Sequence, residues 1–202
     1  MGISALQDQF GAIDIYLFDQ LLRGRIVRGM RVLDAGCGSG RNLVYLLQNG
    51  FDVSAVDRDP LAVAEVCQLA AALAPHIPPS QFRVEPVETC SFPDASFDAV
   101  LSSAVVHFAR DAEQFDLMVA KMWRLLKPGG LLFCRLASDI GLEGAVFLGD
   151  GRYRLPDGSE RYLVSAKRLM EMTRGMGGSL LDPLKTTVVQ EQRSMTTWVV
   201  RK

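Results

Sequence analysis

Short apolar runs alternate along this chain with longer segments whose apolar positions recur at helical spacing. Ile13, Tyr16, Leu17 and Leu21 mark a leading amphipathic helix over residues 13–23. Residues 31–34, 52–56, 82–85, 97–102 and 131–136 are continuous apolar runs, the pattern of strands covered on both faces. Between them the spacing predicts helices over 41–48, from Asp59-Pro60 to Leu73, and over 111–126. Asn49-Gly50 stops the first of these. Asp59 caps the second, with Pro60 in its first turn, and Pro75, Pro78 and Pro79 end it. Strand alternating with helix predicts a parallel sheet with right-handed crossovers.

After residue 136 the alternation stops. Residues 137–164 are Gly-rich, and Arg152-Tyr153-Arg154 and Arg161-Tyr162-Leu163 flank Pro156-Asp157-Gly158-Ser159, which predicts a β-hairpin. A helix follows over 165–174, and two β-prone runs near 186–189 and 196–200 close the chain. No internal repeat or low-complexity tract interrupts this order.

Composition narrows the partners. The 202 residues are 49% apolar and 22% charged, enough to bury a substantial core as a single domain. A formal net charge of −1 lacks the basic footprint of a nucleic-acid binder, although Arg23, Arg25, Arg28 and Arg31 form a local basic cluster. The first residues carry Asp8 and Asp14 and no basic-then-apolar leader, Leu6 stands where a myristoylation signal wants Ser or Thr, and no apolar run reaches membrane-spanning length. Cys37, Cys67, Cys90 and Cys134 have the spacing of neither a zinc site nor a redox pair. Four free thiols in the cytoplasm, no metal and no membrane partner are the expectation.

The chemistry gathers at Gly36-Cys37-Gly38-Ser39-Gly40, a glycine loop between a strand and a helix. Glycines let backbone turn sharply and let a ligand approach closely. Asp34 lies two residues before this loop, and a carboxylate there would repel a pyrophosphate but suit an ammonium. Arg41 stands where a dinucleotide fingerprint would continue, so a nucleotide-dependent oxidoreductase fits poorly. Asp57 ends the next apolar run at the distance of a ribose ligand, and Asp59 is the better placed helix cap. Arg58 lies over a base or points to solvent. Ser102, Ser103 and His107 follow the fourth strand, at the sheet edge where open α/β folds bind ligands. His107 is the candidate general base; the competing reading is a histidine bonded to backbone or lining the pocket without moving a proton. Cys37 packs rather than reacts, His76 is exposed, and Met118 and Trp123 fall at core spacing. Tyr153, Arg154, Arg161 and Tyr162 either recognise a substrate or pair across a surface hairpin.

Four segments resemble class I S-adenosylmethionine-dependent methyltransferases, in that family's order: Leu33 to Gly40, Asp57, Ser91 to Val100, and Trp123 to Gly130. The resemblance covers roughly residues 30–136. It implies a Rossmann-like α/β fold: a seven-stranded, mostly parallel sheet, helices on both faces and an antiparallel final hairpin. It implies a cofactor, S-adenosyl-L-methionine, held by Asp34, Gly36, Gly38, Gly40, Asp57, Arg58 and Ser102. The family commonly has an acid beside adenine after the third strand; here Pro86 takes that place, which leaves Val87 and Glu88 as the adenine contacts, with Glu85 flanking. Residues 1–28, Tyr16 among them, are expected to form a lid, and 137–164 a variable substrate-side insertion. The resulting expectation is methyl transfer to a small-molecule acceptor, with a non-catalytic protein binding the same cofactor as the alternative.

Overall fold

The computed structural model describes residues 3–202. Its centre is a sheet in which β1 (Arg31–Ala35) pairs in parallel with β2 (Asp52–Asp57) on one side and β4 (Phe97–Ser103) on the other. Beyond β2 lies β3 (Phe82–Val84), and beyond β4 lies β5 (Leu126–Ala137), both parallel to their neighbours. The antiparallel end consists of β11 (Arg193–Arg201) against β5, then β10 (Lys185–Val189) against β11. The order is therefore β10-β11-β5-β4-β1-β2-β3. This is the expected seven-stranded sheet, with an added two-residue strand, β9 (Ser179–Leu180), on β11.

Helices cover both faces, and the strand side chains divide between them with period two. On β4, Ala99 and Leu101 pack on one side and Val100 on the other. The first side buries Leu17 of α2 (Ile15–Leu22), Leu46 of α3 (Val44–Gln48) and Val66 of α4 (Pro60–Leu73). The second buries Phe115 and Met122 of α5 (Ala112–Leu125) and Leu169 of α6 (Ala166–Gly175). The fully buried Trp198 anchors α6: its indole N–H donates to Thr173 Oγ1 at 2.9 Å, and that hydroxyl donates to the Leu169 carbonyl. A further helix, α1 (Ile3–Phe10), precedes α2.

Two boundaries shift for local reasons. The helix expected from Arg41 begins only at Val44. Gly40 and Leu43 instead donate to the carbonyls three residues back, Cys37 and Gly40, so residues 40–43 wind as a tight turn. β5 begins at Leu126 rather than 131, because Lys127-Pro128-Gly129-Gly130 continues the extended chain. There Gly129 donates to the Lys202 carbonyl and Lys202 donates to that of Gly130.

Between β5 and α6 stands a separate three-stranded antiparallel sheet of β6 (Val146–Gly149), β7 (Arg152–Arg154) and β8 (Glu160–Tyr162). The hairpin of β7 and β8 matches expectation; β6, an edge strand with exposed Val146, Phe147 and Leu148, has no alternation that would announce it. Tyr162 stacks on Phe115 at 4.8 Å and fixes this sheet to α5. Among the described residues no helix is long and apolar enough to cross a membrane, no cluster could hold a metal ion, and all four cysteines are free.

Candidate active site

The carboxyl ends of β1, β2 and β4 open into one cleft of about 700 Å³, within the range that takes a ligand of cofactor size. The glycine loop forms its floor. The Gly36 and Cys37 amides both donate to the Val56 carbonyl, at 2.8 and 3.0 Å, and Gly38 N–H donates to Asp57 Oδ2 at 2.9 Å. Asp57 Oδ1 accepts the Asp59 amide at 3.0 Å. A carboxylate offers about four acceptor sites, so two remain for hydroxyls reaching into the cleft.

Asp34 sits behind the loop. It is 1% exposed, and neither carboxylate oxygen has a hydrogen-bond partner. Burial pushes its pKa up to about 7; Asp57 adds to this and Arg41 opposes it. A buried carboxylate without partners is a costly arrangement. An ammonium brought to it would supply both charge and donors. The Cys37 thiol borders the same floor, but burial, then the charges of Asp34 and Asp57, raise its pKa far above the thiolate range, so it is no nucleophile.

Of the sequence-derived site residues, Gly36, Gly38, Asp57, Arg58, Val87 and Glu88 border the cleft together. Glu88 does so rather than Glu85, whose carboxylate accepts from Ser91 N and Oγ, both at 2.6 Å. Gly40 does not; a Cβ there would meet Val66 and Leu69 at 3.1 Å, so its role is close packing on α4. Ser102 is fully buried in register with Cys134, and its neighbour Ser103 reaches the cleft instead. His107 is 4% exposed and lies off the lining, while Phe108 beside it is 48% exposed there. Ala137 N–H donates to His107 Nδ1 at 3.1 Å. Burial, then Arg161 and Arg135, lower the imidazole pKa to about 3. With Nδ1 accepting, the neutral ring carries its proton on Nε2. As seated, it holds no free lone pair.

One residue that braces the cleft wall is not marked as such by the sequence. Asp14, 5% exposed, caps α2 by accepting Tyr16 N–H on Oδ1 at 2.9 Å. Its Oδ2 accepts from Ser103 Oγ at 3.0 Å and from Arg135 Nη1 at 3.3 Å, and lies 3.8 Å from Arg41 Nη2. Arg41 Nη2 also donates to Ser103 Oγ at 2.9 Å. Asp before an apolar run is a legible N-cap signal, but its long-range partners are not. Within the expected lid, α2 is thereby tied to the cleft wall. Tyr16 itself is bonded to Thr187 Oγ1 at 2.6 Å and does not border the cleft. Residues 1 and 2 of that segment lie outside the described residues.

Comparison with known proteins agrees with this geometry. Residues 33–134, half of the chain, match the methyltransferase domain family. An uncharacterized methyltransferase of Bacillus subtilis, YodH, is 33% identical over 115 residues, 57% of this chain and 43% of that protein. The ubiquinone biosynthesis O-methyltransferase of Mesorhizobium japonicum is 28% identical over 183 residues, 88% of this chain and 70% of that protein. The fold is shared with Burkholderia thailandensis 1,6-didemethyltoxoflavin-N1-methyltransferase, solved with S-adenosylhomocysteine: TM-score 0.70, 21% identity, 98% of this chain and 80% of that one. The chain belongs to the class I S-adenosylmethionine-dependent methyltransferases, a family whose methyl donor is S-adenosylmethionine. It spans less than half the length of several curated relatives it matches, 43% of the Bacillus protein and 41% of a malonyl-[acyl-carrier protein] O-methyltransferase of Enterobacter lignolyticus.

Proposed function

We propose that this chain transfers a methyl group to a small-molecule acceptor seated in the outer part of the cleft. One observation carries the reading. The unbonded, buried carboxylate of Asp34 and the half-satisfied carboxylate of Asp57 flank one glycine loop. An ammonium for the first and a ribose diol for the second describe the methionyl and ribose parts of S-adenosylmethionine. Gly38 leaves open space between them, since a Cβ there would meet nothing within 4 Å. Val87, Pro86 and Glu88 offer an apolar and polar edge for adenine, with the Glu88 carboxylate steadied by Gln114 Nε2 at 2.7 Å.

The bound cofactor supplies a methyl group already activated by its sulfonium. What remains for the protein is placement and exclusion of water. Val105, Phe108 and Met118 also line the cleft and give an acceptor apolar contact. His107 holds the turn that presents Phe108, through Ala137 N–H, and takes no proton. The near-neutral charge of the chain also favours a small acceptor over nucleic acid.

Titration calorimetry with S-adenosylhomocysteine tests the cofactor site; micromolar binding by the folded protein is expected, and none would remove the reading. Because His107 does not border the cleft, a protein that binds the cofactor without turnover is the second reading. Release of S-adenosylhomocysteine in the presence of acceptors excludes it.

A further inference from the structure

Three arginines line the cleft or lie beside residues that line it, and they bear on what the acceptor is. Arg41 borders the cleft with its side chain 44% exposed. Arg135 stands behind Ser103, paired with Asp14 and lying 5.1 Å from the Tyr16 ring centroid. Arg161 of β8 lies over Phe108, 4.6 Å from its ring centroid, and is anchored by donating from Nη1 to the Glu160 carbonyl at 2.7 Å.

The acids nearby do not balance them. Asp14 serves both Arg41 and Arg135. The Glu160 carboxylate is held by Arg152 and Arg154. Asp157 feels the charge of Arg161, but its carboxylate accepts from Ser159 and forms no ion pair with Arg161 among the described residues. Arg41 and Arg135 therefore share one carboxylate as ion-pair partner, and Arg161 has none among the described residues. Burial is the main cause of the depressed His107 pKa, and the charges of Arg161 and Arg135 add to it. Elsewhere in the lining, Asp57, Asp59 and Glu88 outnumber Arg58.

We propose that the acceptor is an oxyanion on a flat apolar body, a carboxylate or an acidic phenol or enol, resting on Phe108 with its charge toward Arg161 and Arg41. This rests on the methyl-transfer reading above. Guanidinium groups bind carboxylates in planar fashion and stack on conjugated rings. A protonated amine would meet like charge and lose affinity. An oxyanion arrives with its lone pair ready and no proton to give up. The cleft then needs no base, in keeping with the occupied Nδ1 of His107.

The test uses the full chain saturated with S-adenosylhomocysteine and matched probes on one body: 4-hydroxybenzoate against 4-hydroxybenzamide, cinnamate against cinnamamide, and 4-nitrophenolate against 4-nitroanisole. Calorimetry should show the anion of at least one pair binding about tenfold or more tighter than its neutral partner, with the advantage shrinking as salt rises. Arg161→Gln should erase that preference, Arg161→Lys should keep part of it, and both should bind S-adenosylhomocysteine as the parent does. Equal binding, or none, of the two members in every pair overturns the proposal, as does a preference that survives intact in Arg161→Gln. If the parent fails to bind S-adenosylhomocysteine before any probe is added, the methyl-transfer reading itself has failed.

Discussion

The Asp57 carboxylate and the Gly38 amide are joined by a 2.9 Å hydrogen bond that ties the end of β2 to the middle of the glycine loop. One side chain thus shapes the floor of the cleft and keeps acceptor sites for a ligand. Asp57→Ala should weaken S-adenosylhomocysteine binding about 10²- to 10⁴-fold, since it loses two hydrogen bonds to a charged group, each worth about 1.5–3 kcal/mol. Asp57→Asn, which keeps one acceptor oxygen, should fall between. Calorimetry on the two variants checks the order; parental affinity in Asp57→Ala would reduce the residue to a loop brace.

Asp34 should make the ligand-free protein sensitive to pH. Its folded pKa, about 7, lies above the ordinary value of 3.8. The folded state therefore binds the extra proton, and stability falls as pH rises through the interval between those values. Asp34→Asn removes this dependence. Relative to the variant, the parent should lose about 2–3 kcal/mol between pH 5 and pH 8, read from urea unfolding at the two values. Affinity of the parent for S-adenosylhomocysteine should rise over pH 6 to 8, because the carboxylate must ionise to pair with an ammonium. The variant should bind more weakly and show a flatter profile.

These residues differ in how far the sequence alone exposes them. The central strands were legible because a sheet covered on both faces writes continuous apolar runs. The positions of Asp34 and Asp57 beside the glycine loop were legible because adjacent elements set them. Ser102 against Ser103 was not: neighbouring strand residues face opposite ways, and an apolar run leaves that phase unmarked. Asp14 was legible as a cap but not as a brace of the cleft wall, since its partners Ser103 and Arg135 lie 89 and 121 residues away. β6 stayed hidden because its exposed Val146, Phe147 and Leu148 have no polar alternation.

Gly36 and Gly38 separate folding from binding. Both have positive φ, 83° and 50°. An alanine Cβ at 36 would lie 2.4 Å from a Val105 methyl, whereas one at 38 meets nothing. Gly36→Ala should cost about 2–5 kcal/mol, combining left-handed strain with overpacking. Val105→Ala should recover part of that loss in the double variant. Gly38→Ala should cost only about 1–2 kcal/mol of strain, yet its methyl enters the cleft, so S-adenosylhomocysteine should bind markedly less well. Thermal unfolding with and without that ligand reads both effects. Equal stability of the two single variants would contradict the loop packing.

His107 decides whether the cleft moves a proton. Its Nδ1 accepts Ala137 N–H, so His107→Ala leaves a buried amide unpaired and should cost about 1–3 kcal/mol. His107→Asn, whose side-chain oxygen reaches a similar place, should restore much of that stability. The folded imidazole, with a pKa of about 3 against 6.5, binds fewer protons than the unfolded one. Its contribution is therefore complete above about pH 6.5 and falls away as pH drops toward 3. The parent should lose about 2 kcal/mol more than His107→Asn between pH 7 and pH 5, measured by urea unfolding. Once an acceptor is in hand, His107→Asn should turn over within about tenfold of the parent, against the 10²- to 10⁴-fold loss expected for a missing base. A loss of that larger size, with an ionisation near neutrality gone from the pH profile, would mean that the ring leaves Ala137 and serves as the base.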